Sequence, residues 1–181
     1  MTSCSLFPAN GALDYCKNPS SDSVWQVTDG FCRMQEAPVQ LSNDEGQLLS
    51  VKARIADELS ERKAGYQFIG PEVIKHTFIL FIFPIEITGA FHMCNVSAPL
   101  DIVWIRKDGV ILDIQRMEPG PTHTPLGCPS LYAPKTSATY RYALEARAGF
   151  FKEMKISACP EAKRGRCKAR LIVEMLSFQP N

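Results

Sequence analysis

The stretch LDIVWIRKDGVILDIQRM, residues 100–117, decides the fold class of this chain. Two apolar runs are separated by Asp108 and Gly109. An Asp-Gly pair between such runs is the strongest short signal for a β-hairpin. The sequence therefore predicts two antiparallel strands at 100–107 and 110–117.

Strand patterns continue on both sides of this hairpin. In LLSVKARIA (48–56), apolar residues alternate with polar ones, which is the period of a half-buried strand. HTFILFIF (76–83) is apolar throughout and predicts a fully buried strand that ends at Pro84. Three more segments have strand character: 90–96, 139–147 and 168–175.

Two short helices are predicted between the strands. DELSERKAG (57–65) has Asp57 as a natural N-cap and Gly65 as a C-terminal cap, and AGFFKEM (148–154) is the second. About seven strands without regular helical crossovers predict a mainly β, barrel-like domain, or α+β by some counts.

The first part of the chain has a different composition. Residues 1–48 are rich in Ser, Asn, Asp, Pro and Gly, with isolated large apolar residues. This pattern predicts an extension that wraps a domain and does not fold alone. We therefore expect an N-terminal cysteine-containing extension, 1–48, and one β-barrel-like domain, 49–181.

Composition excludes several classes of protein. The chain of 181 residues is 45% hydrophobic and 22% charged, with a formal net charge of +1, so nothing favours nucleic acid as a partner. The most apolar run, 78–85, is too short to span a bilayer, and we expect no transmembrane segment. No signal peptide is visible.

The chain has seven cysteines but no CxxC pair, so the usual zinc-ribbon and thioredoxin signatures are absent. Disulfides in an oxidising compartment are one interpretation, which predicts a secreted, periplasmic or organelle-lumen protein with one cysteine left over. A disulfide between Cys159 and Cys167 would close a basic loop. The other interpretation is reduced, buried cysteines that pack as small apolar residues in a cytoplasmic protein.

Three blocks make the chain resemble the domain-of-unknown-function 192 family over about residues 49–157. They are N-x-x-x-P-L-D-I from Asn95, M-E-P at 117–119, and Y-A-L-E-x-x-A-G at 142–149. The resemblance implies a small β-barrel-like domain, often exported or membrane-tethered, and implies no reaction. The chain departs from the family pattern at 92–96, where His92 and Cys94 replace other residue types.

His92 and Cys94 are the first candidate site. On a strand they would share a face, so Cys94 could be a nucleophile with His92 as its base. By residue type, His92, Cys94, His123 and Cys128 would also make a Cys₂His₂ zinc set, but the spacing matches no recognised ligand pattern. We therefore expect no metal site, and a substituted His beside a free or paired Cys is the alternative.

Acidic residues form the second candidate site. Asp101 and Glu145 could act as acid and base. The alternative is a buried polar network, satisfied by arginines or backbone amides, that anchors loops to the barrel. The further residues predicted to bind a ligand are Asn95, Glu118, His123, Tyr132 and Arg141.

Two functions are compatible with these residues. The first is a binding, accessory or assembly module for a protein partner or a small molecule. The second is a small enzyme without a cofactor, a hydrolase, isomerase or cyclase, that acts in a cleft rimmed by the proline-rich loop 118–136. Binding is favoured slightly because no complete catalytic geometry can be written from the sequence.

Overall fold

The computed structural model describes residues 16, 28–121, 128, 131–159 and 166–172. These residues form four short helices: α1 (Asp29–Arg33), α2 (Leu59–Ala64), α3 (Pro71–His76) and α4 (Phe150–Glu153). They also form nine strands: β1 (Gln35–Ser42), β2 (Leu48–Ala56), β3 (Ile79–Ile87), β4 (Phe91–His92), β5 (Leu100–Ile105), β6 (Ile111–Met117), β7 (Leu131–Tyr132), β8 (Tyr140–Arg147) and β9 (Arg170–Leu171).

Seven of the strands build one sheet in the order β6-β5-β8-β3-β2-β1-β9, and β4 pairs with β7 in a small second sheet. All the strand pairs are antiparallel except β2 with β3, whose connection runs through α2 and α3. The mainly β prediction is confirmed. The large sheet is not closed into a barrel: within the described part of the chain, its two edges meet at an isolated bridge between Val110 and Arg170.

Alternation along the hairpin strand β5 divides the core between the two faces of the sheet. Val103 and Ile105 join a cluster with buried residues of β1 and β2 and with the two phenylalanines of α4. Ile102 and Trp104 point to the opposite face and join a cluster that includes residues of α1, α2 and α3. Both clusters are continuous, so the sheet is covered on each side.

The helix predicted at 57–65 is confirmed, with Glu58 instead of Asp57 as its N-cap and Gly65 at its C-cap. The predicted hairpin is also confirmed, and Gly109 has the positive φ, 85°, that its turn requires.

Three strand boundaries differ from the sequence-based expectation. Strand β3 continues through Pro84, with an irregular register between Ile82 and Ile87. Strand β4 ends at His92, so 93–96 is not part of a strand. Of the strand predicted at 168–175, the described residues 168–172 include only the two-residue strand β9, and 173–175 lie outside the described residues.

Six of the seven cysteines form three disulfides: Cys16–Cys32, Cys94–Cys128 and Cys159–Cys167. The predicted Cys159–Cys167 disulfide is therefore confirmed, and Cys4 lies outside the described residues. Among the helices of the described part of the chain, none has the length and apolar character needed to cross a membrane.

Candidate functional site

A cleft of about 430 Å³ opens on the sheet face that α2 covers. Its walls come from α2 and the turn after it, from β3, from the segment around β4 and from β8. The lining residues are mostly apolar or aromatic, with a few polar groups, which is the usual character of a small-molecule site. The aromatic members are Tyr66, Phe81, Phe83, Phe91 and Tyr140.

The aromatic side chains hold one another in place. The ring of Phe91 lies edge-on to that of Phe81, with 5.0 Å between the centroids, and Phe83 lies edge-on to Tyr140 at 5.5 Å. Such edge-to-face pairs are favourable beyond the area they bury. The apolar wall of the cleft is therefore a preformed surface built on strands.

Glu145 contributes a carboxyl group to this apolar wall. Its side chain is only 4% exposed, and its register partners on the two neighbouring strands are Ile79 and Ile102, both fully buried. Burial raises the pKa of Glu145 from 4.5 to about 8, because the charged form has lost its hydration. At neutral pH the carboxyl group is therefore mostly protonated and can donate a hydrogen bond.

The two tyrosine hydroxyl groups of the cleft are already engaged. Tyr66 Oη donates to the Thr77 carbonyl oxygen at 2.6 Å, and Tyr140 Oη donates to the Gly89 carbonyl oxygen at 2.8 Å. Burial raises the pKa of Tyr140 to about 12, and burial together with nearby Glu145 raises that of Tyr66 well above its usual value. Both hydroxyls stay neutral. Among the described residues, the fully buried side-chain polar atom without a hydrogen-bond partner is Trp104 Nε1.

Basic side chains lie among the less buried lining residues. Arg62 donates a hydrogen bond from Nη1 to the Ile82 carbonyl oxygen at 3.0 Å, and its guanidinium lies 5.6 Å from the centre of the Phe83 ring. Lys63 and His92 are exposed. The cleft thus combines an apolar wall, a buried neutral acid and outer groups that can carry positive charge.

Asp101 lies in a different environment from Glu145. On β5, Ile102 lies opposite Glu145 of β8, and Asp101 is the residue next to Ile102. Because neighbouring residues of a strand point to opposite faces, the side chains of Asp101 and Glu145 lie on different faces of the sheet. Asp101 Oδ1 accepts a hydrogen bond from Arg116 Nε at 2.5 Å, and Oδ2 accepts one from the Gly149 amide at 2.6 Å. The acid–base pair suggested for these two carboxyl groups does not form, and Asp101 instead anchors the turn before α4.

His92, Cys94 and Cys128 are brought together, although not on a strand. Cys94 lies in the turn after β4, and its sulfur is bonded to Cys128. The strand arrangement expected for His92 and Cys94 is therefore wrong. The bonded Cys94 has no thiolate, so the nucleophile hypothesis does not fit this form. His123, the fourth residue of the set, lies outside the described residues.

The family whose model matches this chain is described as "Uncharacterized ACR" and carries the label DUF192; the match covers residues 40–161. The chain belongs to the DUF192 family. No curated protein matches the chain significantly. The resemblance seen in the sequence is confirmed, and the family itself brings no assigned activity.

Two crystal structures share the fold of this DUF192 chain. One is a protein from Sinorhizobium meliloti 1021 described as a "putative transcription regulator", with 22% identity, a TM-score of 0.60, and coverage of 76% of this chain and 93% of that one. The other is a protein of unknown function from Novosphingobium aromaticivorans DSM 12444, with 18% identity, a TM-score of 0.58, and coverage of 75% and 89%. At these identities the likeness concerns the fold alone.

Of the other predicted binding residues of this DUF192 chain, the four that the structure describes, Asn95, Glu118, Tyr132 and Arg141, do not line the cleft. Asn95 has a positive φ of 61° and donates from Nδ2 to Gln67 Oε1 at 3.2 Å. The Glu118 amide donates to Tyr132 Oη at 3.1 Å, and the Arg141 guanidinium donates to the Pro84 carbonyl oxygen. These contacts hold turns and strand ends together.

The loop 118–136 was expected to rim the cleft, but none of its described residues does so. Strand β7 within this loop pairs with β4 instead, with Tyr132 opposite Phe91. The aromatic wall and α2 were not predicted as parts of the site. The available signal was the dense aromatic content of 76–83, which was interpreted as a fully buried strand, together with Phe91.

Proposed function

We propose that this DUF192 chain is a binding module that holds a small, largely apolar organic molecule in the Glu145 cleft. The single observation that carries the proposal is the Glu145 carboxyl group, which lines an aromatic cleft although the residue is only 4% exposed. A carboxyl group that has lost most of its contact with water gains from a hydrogen-bond partner. A ligand that carries a hydrogen-bond acceptor would supply one.

The exposed lining residues and the volume of the cleft restrict the kind of ligand further. Lys63 and His92 are exposed lining residues, so an anionic or strongly accepting group at the outer end of the ligand would meet positive charge. The volume of about 430 Å³ suits a molecule with one or two rings, or a short chain. We therefore expect amphipathic ligands such as aromatic or medium-chain carboxylates.

Ligand-observed NMR with a panel of such fragments tests this function. The matched variants are Ala90→Phe, which places a ring in the cleft from an exposed lining residue, and Ala133→Phe, which adds the same ring at an exposed residue outside it. We expect fragments to bind wild type and Ala133→Phe alike, and to bind Ala90→Phe at least about tenfold more weakly. Equal binding to both variants, or no binding to wild type, contradicts the proposal.

Acid–base catalysis in the same cleft is the second candidate. The observation in its favour is the pKa of about 8 at Glu145, which suits a general acid near neutral pH. Incubation of bound fragments with wild type and with Glu145→Gln separates the two functions. If wild type converts a fragment and the Gln variant binds it without converting it, the catalytic function is correct. If neither converts any fragment, binding alone stands.

We also propose an oxidising compartment, which means secretion, the periplasm or an organelle lumen. Three disulfides support this location, since such bonds are rare in reducing compartments. Thiol alkylation and mass spectrometry of protein trapped directly from its native cells check it. We expect one free thiol per chain. Seven free thiols would contradict the location.

A further inference from the structure

Three potential metal ligands meet around His92, which lines the outer part of the cleft. A ring nitrogen of His92 and the sulfurs of Cys94 and Cys128 all lie within 4.8 Å of one another. Two thiolates and one imidazole, with a fourth position left to water, are a recognised ligand set for Zn²⁺. The described residues contain no other group of three His, Cys, Asp or Glu side chains at such distances.

We propose that the Cys94–Cys128 disulfide is a reversible switch and that its reduced form binds Zn²⁺ together with His92. In the oxidised form the two sulfurs are bonded to each other and are not available to a metal. In the reduced form both become thiolates beside the imidazole. This inference does not depend on a cleft ligand, because it concerns only these three side chains.

The backbone holds two of the ligands in place without the disulfide. His92 lies in β4, whose pairing with β7 sets His92 opposite Leu131. The turn that carries Cys94 is clamped by hydrogen bonds from the Gly120 amide to the Met93 carbonyl oxygen, 2.9 Å, and from the Asn95 amide to the Pro121 carbonyl oxygen, 3.3 Å. These bonds do not involve sulfur, so reduction leaves them in place.

Gly120 makes this clamp possible. A Cβ atom at this position would lie 2.7 Å from the Met93 carbonyl carbon and oxygen, which no side chain can tolerate. Cys128 lies three residues before β7, the strand that pairs with β4, and its sulfur is within 4.8 Å of a His92 ring nitrogen and of the Cys94 sulfur. A ligand set that is positioned before the metal arrives binds it with less loss of entropy.

The redox step needs a dithiol reductant. Cys128 is half-buried whereas Cys94 is buried, so a thiolate of the dithiol attacks Cys128 Sγ and Cys94 Sγ leaves as a thiolate beside His92. The second thiolate of the reductant then attacks the reductant's sulfur in the mixed disulfide, and Cys128 leaves as a thiolate. Two electrons pass to the protein, and the dithiol becomes a disulfide.

Titration of the full-length protein with Co²⁺, a spectroscopic substitute for Zn²⁺, tests the inference. The protein is first reduced with a phosphine, and the thiolate-to-cobalt absorption band is followed. We expect one equivalent to bind to reduced wild type, with competition by Zn²⁺, and none to the oxidised protein. X-ray absorption of the zinc form should show two sulfur ligands at about 2.3 Å and one nitrogen at about 2.0 Å.

Two matched variants assign the site. His92→Ala should bind Co²⁺ at least about 100-fold more weakly, since even the loss of an outer-shell partner costs 10- to 100-fold. His76→Ala, at another exposed histidine, should bind like wild type. Cys94→Ala with Cys128→Ala should remove the band, while the remaining cysteines report any unspecific thiol binding.

Three outcomes would overturn the inference. They are no Co²⁺ band in reduced wild type, a full band in the double cysteine variant, and equal affinity for His92→Ala and His76→Ala. Thermal unfolding checks that the double cysteine variant is folded. If it is not, the comparison of the two histidine variants, which keep every cysteine, decides the question.

Discussion

Replacement of Glu145 by Gln should remove a large pH dependence of stability. The pKa of this carboxyl group is raised from 4.5 to about 8 by burial, so the folded state holds a proton that the unfolded state releases between these pH values. The free energy of unfolding of wild type therefore falls as pH rises through this window. The stabilisation that the folded state gains by holding this proton is fully present below pH 4.5 and is lost above pH 8.

The size of the effect follows from the shift. Each pKa unit corresponds to about 1.4 kcal/mol, so the shift from 4.5 to about 8 corresponds to about 5 kcal/mol. This is a large part of the roughly 5–15 kcal/mol that stabilises an ordinary domain. The Gln side chain has nearly the same shape and does not titrate, so the other ionisable groups cancel in the difference between the two proteins.

Urea unfolding without reductant, at intervals from pH 5 to 9, measures this difference. We expect the stability of Glu145→Gln relative to wild type to increase with pH by at most about 1.4 kcal/mol per unit, and to level off above pH 8. A constant offset between the two proteins would reflect a packing difference of the amide, which does not depend on pH. A difference that stays flat within about 0.5 kcal/mol over the whole range would refute it.

Three further substitutions test other parts of the structure by the same unfolding assay. Asp101→Ala should lower stability by about 2–3 kcal/mol, because the carboxylate accepts two hydrogen bonds at the turn before α4. The control Glu118→Gln, at an exposed residue, should change stability by less than about 0.5 kcal/mol. Equal effects of the two substitutions would contradict the anchoring role of Asp101. Gly120→Ala should cost about 1–3 kcal/mol, because its Cβ would clash with backbone at 2.7 Å, and a neutral effect would show that the clamp is loose. Removal of the Cys159–Cys167 disulfide by Ser substitution should cost about 2–3 kcal/mol, as expected for a short closed loop, and unchanged stability would argue that the loop is constrained by other contacts.

The hairpin at 100–117 and the helix at 57–65 were predictable because their signals are local. Strand β1 was not predicted, although Ala37, Val39 and Leu41 alternate with less buried residues as a strand requires. Pro38 made the segment resemble a loop. Within the described residues, β9 pairs with β1 at Leu41 and Ser42.

The candidate site could be predicted only in part, because its geometry depends on register. Glu145 was named from the family block as a candidate acid or base or as part of a buried polar network, and the structure shows that it is buried. Its separation from Asp101 follows from the pairing of β5 with β8, which places Asp101 opposite Ala146 and not opposite Glu145. A shift by one residue would have put both on the same face, and no local pattern distinguishes the two registers.

The end of β4 at His92 could not be predicted from the periodicity of the strand either. The segment 90–96 is apolar enough for a longer strand, but Asn95 adopts a positive φ of 61° and turns the chain toward 119–121. Asn is one of the few residues that adopts this conformation at low cost. The encounter of Cys94 with Cys128 depends on this turn and on a separation of 34 residues, so only the folded structure could reveal it.

The protonation of Glu145 in the cleft is the central claim, and a ¹³C NMR titration of its carboxyl carbon tests it most directly. The resonance is assigned by its absence in Glu145→Gln and followed from pH 4 to 10, with and without a bound fragment. We predict a midpoint near pH 8 that moves higher when a ligand accepts a hydrogen bond from the protonated acid. A midpoint near 4.5 that no cleft ligand displaces would contradict both the buried neutral acid and the binding function built on it.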